Sequence, residues 1–166
     1  MNEKVRKLVT MAMLAALSIV LVYVIHFPIF PAASFLEYDP ADIPILIGTF
    51  AYGPLAGVLL TVVVSVIQGM TVSSGSGLMG IAMHIFATSI LVLVAGNIYR
   101  VKHTKKGAVL GLACGVVCLV AVMLLWNYLI TPLYMTNFSR ADVAALLPTL
   151  FLPFNLYKYL LYHKVS

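Results

Sequence analysis

Charged residues divide the chain into long apolar runs, and these runs predict membrane-spanning helices. No charge occurs from Leu8 to Leu36 or from Ile43 to Tyr99. At about 20 residues per span, the second run has room for up to three helices. Gly53-Pro54 and Ser73–Gly77 interrupt it with residues that favour turns. The pattern predicts an all-α integral membrane protein with six transmembrane helices in a single membrane domain, residues 1–166.

The boundaries of the later spans follow from two charged segments and one proline. Arg100–Lys106 ends the fourth span, Thr131-Pro132 ends the fifth, and Arg140–Asp142 precedes the sixth. The predicted spans are residues 5–27, 41–52, 54–70, 78–100, 107–130 and 142–165. The predicted outer loops are residues 28–40, 71–77 and 131–141.

The distribution of basic residues predicts the orientation of the protein. With six spans and a cytoplasmic N-terminus, eight basic residues lie inside, whereas Arg140 lies outside with four of the five acidic residues. An excess of lysine and arginine in cytoplasmic segments is typical of multi-pass membrane proteins. Both termini are therefore predicted to be cytoplasmic, and the expected location is the cell membrane.

The composition excludes several classes of protein. With 63% hydrophobic and 9% charged residues, the chain has too little polar surface for a soluble domain. The net charge of +5 does not indicate nucleic-acid binding, because the basic residues cluster beside the apolar runs. The histidines show no metal-ligand spacing, so neither a metal site nor a cofactor is predicted. No nucleotide-binding loop is present, and ATP-driven work would require another chain.

Polar residues from separate predicted helices fall at one depth, in the outer half of the membrane. Lys158 is the most costly of them, because a charge at membrane depth marks a functional site by default. Asn155 lies three residues earlier on the same helical face, although Lys158 could also extend to the headgroups and His84 could be an ordinary packed histidine. A few convergent polar groups within apolar walls are typical of a small-molecule pocket. The residues at this depth are Gln68, His84, Asn127, Asn155 and Lys158.

The acidic segment Glu37–Asp42 is interpreted as a solvated connector above this pocket. Apart from that connector, no Ser/His/Asp set or carboxylate pair reaches a common depth. No catalytic site is therefore predicted.

Four blocks of sequence resemble the riboflavin-specific S component of energy-coupling factor (ECF) vitamin transporters. Any one block would be weak evidence, but together they fall in family order and cover most of the chain. The blocks are Phe35–Pro44, Gly53–Gly57, Asn127-Tyr128 with Thr131–Tyr134, and Leu152–Leu156 with Lys158.

The resemblance implies a non-enzymatic, six-helix subunit of the prokaryotic plasma membrane that captures riboflavin from outside the cell. It would dock onto a transmembrane coupling subunit carried by two ATPase subunits, through a small-residue stripe matched by Ala12 and Ala16. That stripe could otherwise pack within the bundle. Asn127, Asn155 and Lys158 would hydrogen-bond the flavin, and the first loop would close over it. The full predicted substrate-binding set is Tyr38, Thr49, Gln68, His84, Asn127, Asn155 and Lys158.

Two alternatives remain at the level of sequence. One is an S component for a different small vitamin, and the other, from a different class, is a small intramembrane enzyme or channel. One segment departs from the family pattern, since Pro153–Ser166 is shorter than the corresponding family segment by about three turns. Either the last helix begins earlier, near Asp142, or the chain is shortened there.

Overall fold

The protein is helical apart from one pair of two-residue strands, within the residues that the structure describes. The predicted sixth span, with Asn155 and Lys158, lies almost entirely outside them. The computed structural model describes residues 2–25, 27–28, 37–38, 40–71 and 77–134, together with 145, 148–149 and 153.

The helices and strands follow one another with short connections between most of them. The helices are α1 (Glu3–Val24), α2 (Asp42–Tyr52), α3 (Pro54–Met70), α4 (Gly77–Lys102) and α5 (Lys105–Tyr134), and the strands β1 (Phe27–Pro28) and β2 (Glu37–Tyr38) lie between α1 and α2. By length and composition, α1, α4 and α5 contain apolar segments long enough to cross a membrane, whereas α2 and α3 are shorter apolar helices.

The first helix begins with a side-chain cap and buries one narrow face. The side chain of Asn2 accepts a hydrogen bond from the Lys4 backbone N–H at 3.3 Å, which satisfies one of the unpaired donors at a helix start. Ala15, Ser18 and Val22 are buried at spacings of three and four residues. This spacing gives α1 a single contact face toward the bundle.

A single glycine connects α2 to α3. Gly53 has φ of 94°, a conformation that L side chains rarely adopt and glycine does readily. Pro54 then occupies the first position of α3, where its missing N–H costs no helical hydrogen bond. The chain therefore reverses direction within one residue.

The fifth helix extends beyond its predicted end. Thr131 and Pro132 lie inside α5, which ends at Tyr134, so the connection to the next segment begins later than residue 131. A proline in the last turn of a helix removes one backbone hydrogen bond but leaves the preceding turns intact. It was therefore a weaker stop signal than its position in the sequence indicated.

Close helix packing holds α4 against α5. A Cβ at Gly111 would lie 2.8 Å from the Ala95 carbonyl oxygen, and one at Gly115 would lie 2.9 Å from the Leu91 side chain. Because these positions lack side chains, the two backbones approach closely, as is common between membrane helices. The core beside them includes Ile45, Val64, Leu91 and Leu119.

Candidate functional site

Asp42 is fully buried at the start of α2 and bonded to α4. Its side chain has an exposed fraction of 0%. The Thr88 hydroxyl donates to Asp42 Oδ1 at 2.9 Å, and His84 Nε2 lies 3.6 Å from the same oxygen. The prediction that Asp42 belongs to a solvated connector is therefore wrong. Asp42 is the first residue of a packed helix, whose positive N-terminal dipole favours a carboxylate.

Ser65 extends this contact to a third helix. Its hydroxyl oxygen lies 2.6 Å from His84 Nδ1 and donates to the Thr61 carbonyl oxygen at 2.6 Å. We call the set Asp42, Ser65, His84 and Thr88 the Asp42 junction. It joins α2, α3 and α4 through polar atoms, and buried polar groups of this kind are stable only when they are paired.

The junction corrects a second prediction, that no Ser/His/Asp set shares a common depth. Ser65 lies at Nδ1 and Asp42 at Nε2 of the His84 ring, the reverse of the Ser-His-Asp triad, in which serine bonds Nε2 and the carboxylate bonds Nδ1. Ser65 is also only 2% exposed, and its hydroxyl is bonded within its own helix. A substrate does not reach this hydroxyl in the observed arrangement, and the set acts as a bridge between helices.

The residue before Asp42 is held from the opposite side. The Ser18 hydroxyl, on α1, donates to the Ala41 carbonyl oxygen at 3.1 Å, and both residues have an exposed fraction of 0%. Tyr38, a predicted substrate-binding residue, lies in β2 and pairs with Phe27 of β1. Its side chain lies outside the described part of the structure.

Gln68 lies on the same face of α3 as Ser65. The two residues are three positions apart, so their side chains are neighbours along the helix. Gln68 is buried. The structure therefore brings the predicted residues Gln68 of α3 and His84 of α4 to the same end of the bundle, where Ser65 of α3 contacts His84.

Asn127 is buried on α5 beside the only tryptophan of the chain. It is 5% exposed, and its side-chain amide donates to the Met123 carbonyl oxygen at 2.8 Å. The neighbouring Trp126 ring lies 5.9 Å from the Phe86 ring of α4. Its indole N–H is buried with no hydrogen-bond partner among the described residues. Because Trp126 and Asn127 are adjacent in sequence, their side chains leave α5 in different directions.

Thr49 lies apart from the other predicted site residues. It is seven residues beyond Asp42, or about 10 Å along α2. Its hydroxyl donates to the Ile45 carbonyl oxygen at 2.8 Å, and its side chain fills the space above Gly57 and Gly96. We call Thr49, Gly57 and Gly96 the Thr49 contact, which is a packing contact at the opposite end of α2 from the junction.

The predicted docking stripe is exposed on α1. Ala12 and Ala16 are both exposed, whereas the buried face of the helix consists of Ala15, Ser18 and Val22. The stripe therefore does not pack within the described bundle. Asn155 and Lys158 lie outside the described residues.

Three junction residues, Asp42, Ser65 and Thr88, were not predicted as site residues. For two of them the sequence contains a local signal, namely a polar residue four positions earlier on the same helical face. Thr88 follows His84 by four residues, and Ser65 follows Thr61 by four, so each pair shares a helical face. The sequence does not show which faces meet. No group of three metal-ligating side chains occurs within the described ranges.

Comparisons with known proteins extend over nearly the whole chain. Residues 6–164 match the family described as ECF transporter, substrate-specific component. The chain is 32% identical over 158 residues to the riboflavin transporter RibU of Staphylococcus aureus (strain TCH60), covering 92% of this chain and 82% of that protein. It is 34% identical over 166 residues to RibU of Streptococcus thermophilus (strain ATCC BAA-250 / LMG 18311), covering 95% and 77%.

A third relative and a solved structure agree with these matches. The riboflavin transporter FmnP of Bacillus subtilis (strain 168) is 30% identical over 133 residues, covering 79% of this chain and 70% of that protein. The solved structure of the S component of a bacterial ECF transporter is 27% identical, with a TM-score of 0.74, and the match covers 98% of this chain and 96% of that one. The chain therefore belongs to the family of substrate-specific components, or S components, of ECF transporters.

Proposed function

We propose that this protein is a riboflavin-binding S component that captures the vitamin outside the cell. Uptake would be driven by a transmembrane coupling subunit and two ATPase subunits on other chains. The observation that carries the proposal is the similarity, along most of the chain, to relatives that are named riboflavin transporters. The four sequence blocks that resemble the riboflavin-specific family support the same substrate.

The chemistry of Asn127 suits a flavin. Riboflavin is a flat ring with carbonyl and imide edges and a polyhydroxyl tail. A carboxamide both donates and accepts hydrogen bonds, and lysine donates three. Asn127 is buried on α5, where a hydrogen bond to a ligand would be shielded from water. Asn155 and Lys158 would complete the contacts, with Tyr38, Gln68 and His84 nearby in the predicted set.

The proposed topology has six spans in the cell membrane, with both termini in the cytoplasm. Lys7 Nζ lies 5.6 Å from the centre of the Tyr52 ring, and the Phe50 and Tyr99 rings are 4.9 Å apart. The basic start of α1 and the basic turn after α4 therefore lie at the same end of the bundle. This arrangement supports a cytoplasmic location for both segments.

The substrate assignment is tested by riboflavin binding to the purified protein. Trp126 is the only tryptophan, so riboflavin bound near Asn127 should quench most of the intrinsic fluorescence stoichiometrically. Protein purified from cells should also be yellow. Colourless protein whose fluorescence does not respond to added riboflavin would contradict the assignment.

A matched pair of asparagine variants locates the site. Asn127→Ala should weaken riboflavin binding by about tenfold or more, because it removes hydrogen bonds in a desolvated position. Asn97→Ala is the control, since Asn97 makes the same type of bond, to the Leu93 carbonyl oxygen, but is exposed near the other end of α4. Equal affinities of the two variants would remove Asn127 from the site.

The proposed docking surface is tested separately from binding. Ala12→Trp should abolish energised riboflavin uptake in cells while leaving riboflavin binding unchanged, because a bulky ring would prevent close approach of a partner helix. Val117→Trp, at a position 69% exposed on α5, should support normal uptake. Loss of binding in Ala12→Trp would mean that this position also affects the riboflavin site, and it would contradict a role in docking alone.

A further inference from the structure

The segment that joins β2 to α2 is fixed from two sides. Pro40, Ala41 and Asp42 are almost completely buried. Ser18 of α1 holds the Ala41 carbonyl oxygen, and Thr88 of α4 holds the Asp42 carboxylate. A segment bonded to two helices through adjacent residues has little freedom to shift along either of them. We call residues 40–42 the joint.

His84 directs both ring nitrogens toward other residues of the junction. Nδ1 lies 2.6 Å from Ser65 Oγ, and Nε2 faces Asp42 Oδ1 at 3.6 Å. An imidazole has only these two polar atoms for hydrogen bonding. The ring therefore lies between α3 and the joint, hydrogen-bonded to Ser65 and packed against the Asp42 carboxylate, much as outer partners of a site orient the groups that touch a ligand.

We propose that His84 and Thr88 act on riboflavin binding through Asp42, as positioning residues rather than as ligand contacts. Thr88 bonds the joint to α4 and His84 packs against it. Together they limit the positions open to the backbone of Tyr38, which lies four residues before Asp42 and within about 14 Å of it along the chain. This assigns His84 a different role from the direct contact that its depth predicted. The inference rests on the proposed function, because it concerns binding of riboflavin at this end of the bundle.

An isosteric replacement tests the role of Thr88. Thr88→Val keeps the shape of the side chain but removes the donor to Asp42, and it should weaken riboflavin binding about tenfold, since hydrogen bonds to charged groups are the strong ones. Thr88→Ser restores the hydroxyl and should return the affinity to within about twofold of wild type. Unchanged affinity in Thr88→Val would overturn the proposal.

Thr61→Val is the matched control. Thr61 is also fully buried, but its hydroxyl donates to the Gly57 carbonyl oxygen within its own helix. This variant should bind riboflavin like the wild-type protein. A loss equal to that of Thr88→Val would mean that any buried hydroxyl deletion has the same effect, and it would count against the joint.

A double variant separates positioning from direct contact. If His84 and Thr88 both act through Asp42, the Thr88→Val/His84→Gln protein should bind riboflavin about as weakly as the weaker single variant, because residues that share a partner are not additive. If His84 contacts the ligand itself, the two losses should multiply. Multiplied losses would overturn the proposal.

Hydrogen exchange tests the joint without any ligand. In the unliganded protein, the Ala41–Ile43 amides should exchange faster in Thr88→Val than in wild type, and at the wild-type rate in Thr61→Val. Unchanged exchange in Thr88→Val would overturn the inference even if riboflavin binds. If the wild-type protein fails to bind riboflavin, the proposed function fails, and this measurement still decides whether Thr88 holds the joint.

Discussion

Helices α2, α3 and α4 contact one another at two places, and different interactions stabilise these two contacts. At the Asp42 junction, each helix contributes a polar side chain to one connected group of atoms. At the Thr49 contact, α3 and α4 each contribute a glycine, and the threonine of α2 fills the space between them. The same three helices are thus held by directional bonds at one end and by close packing at the other.

The difference predicts which kind of change each end tolerates. Hydrogen bonds depend on particular donor and acceptor atoms, so a replacement of equal volume can break them. Close packing depends on volume, so a replacement that keeps the shape is accepted and a larger one is not. The stability of the Asp42 junction should therefore depend on its donor and acceptor atoms, and that of the Thr49 contact on side-chain volume.

The largest effect should come from adding volume at the Thr49 contact. Gly57→Val places a Cβ against Thr49 Oγ1 and 3.1 Å from Val92 Cβ, and overpacking of this kind costs about 3 kcal/mol of stability. The melting temperature of the protein in detergent should fall strongly. Thr49→Ala in the same chain should recover part of the loss, and a melting temperature unchanged by Gly57→Val would show that the helices are not closely packed there.

A smaller effect should follow from removing the acceptor of the junction. Asp42→Ala leaves the Thr88 hydroxyl without its acceptor in a buried position, at a cost of about 2 kcal/mol. The melting temperature should fall, and a return of Asp42→Asn toward the wild-type value would show that an acceptor oxygen, rather than volume alone, is required. Melting behaviour like that of wild type in Asp42→Ala would contradict the polar character of this end.

The smallest expected effect is the difference in stability between valine variants of two buried threonines on different helices. Thr88→Val should lower stability by about 1–2 kcal/mol, because its hydroxyl bonds a carboxylate. Thr49→Val should lower it by less than about 0.5 kcal/mol, because its hydroxyl bonds only a carbonyl that α2 already uses. Melting curves of the two variants, recorded in the same detergent, provide the comparison. Equal losses would remove the contrast between the two ends.

Much of the helical part of the fold could be predicted from charges, glycines and prolines. The intervals without charge located α1 to α5, and Gly53-Pro54 marked the reversal that the structure shows. The membership of the S-component family could also be predicted, because the resembling blocks lie in family order. The ends of the helices were harder to predict, as the extension of α5 through Pro132 shows.

The complete burial of Asp42 could not be predicted, although the predicted span 41–52 matches α2 closely. Eleven residues span about 16 Å, roughly half of a hydrocarbon core of about 30 Å. Tyr52 lies at the basic end of the bundle beside Lys7. In the proposed topology, in which this basic end is cytoplasmic, Asp42 at the opposite end of α2 would lie inside the membrane. A carboxylate at such a depth must be paired, and this would account for the bond from Thr88 of α4.

The hydrogen-bond and contact partners of Asp42 could not be predicted from the sequence either. His84 and Thr88 share a face of α4, and that much follows from their spacing. Which face of α4 meets α2 depends on packing around Gly57 and Gly96 at the far end. Contacts between side chains distant in sequence therefore required the structure.

The one-residue connection at Gly53 has a consequence for how the protein is made. An eleven-residue helix is too short to enter a bilayer as a span of its own during synthesis, and Asp42 at its start would oppose entry. With Pro54 starting α3 at once, α2 and α3 leave the ribosome as one hairpin. We expect this hairpin to insert as a unit, and Asp42 to gain its partners only when α4 follows.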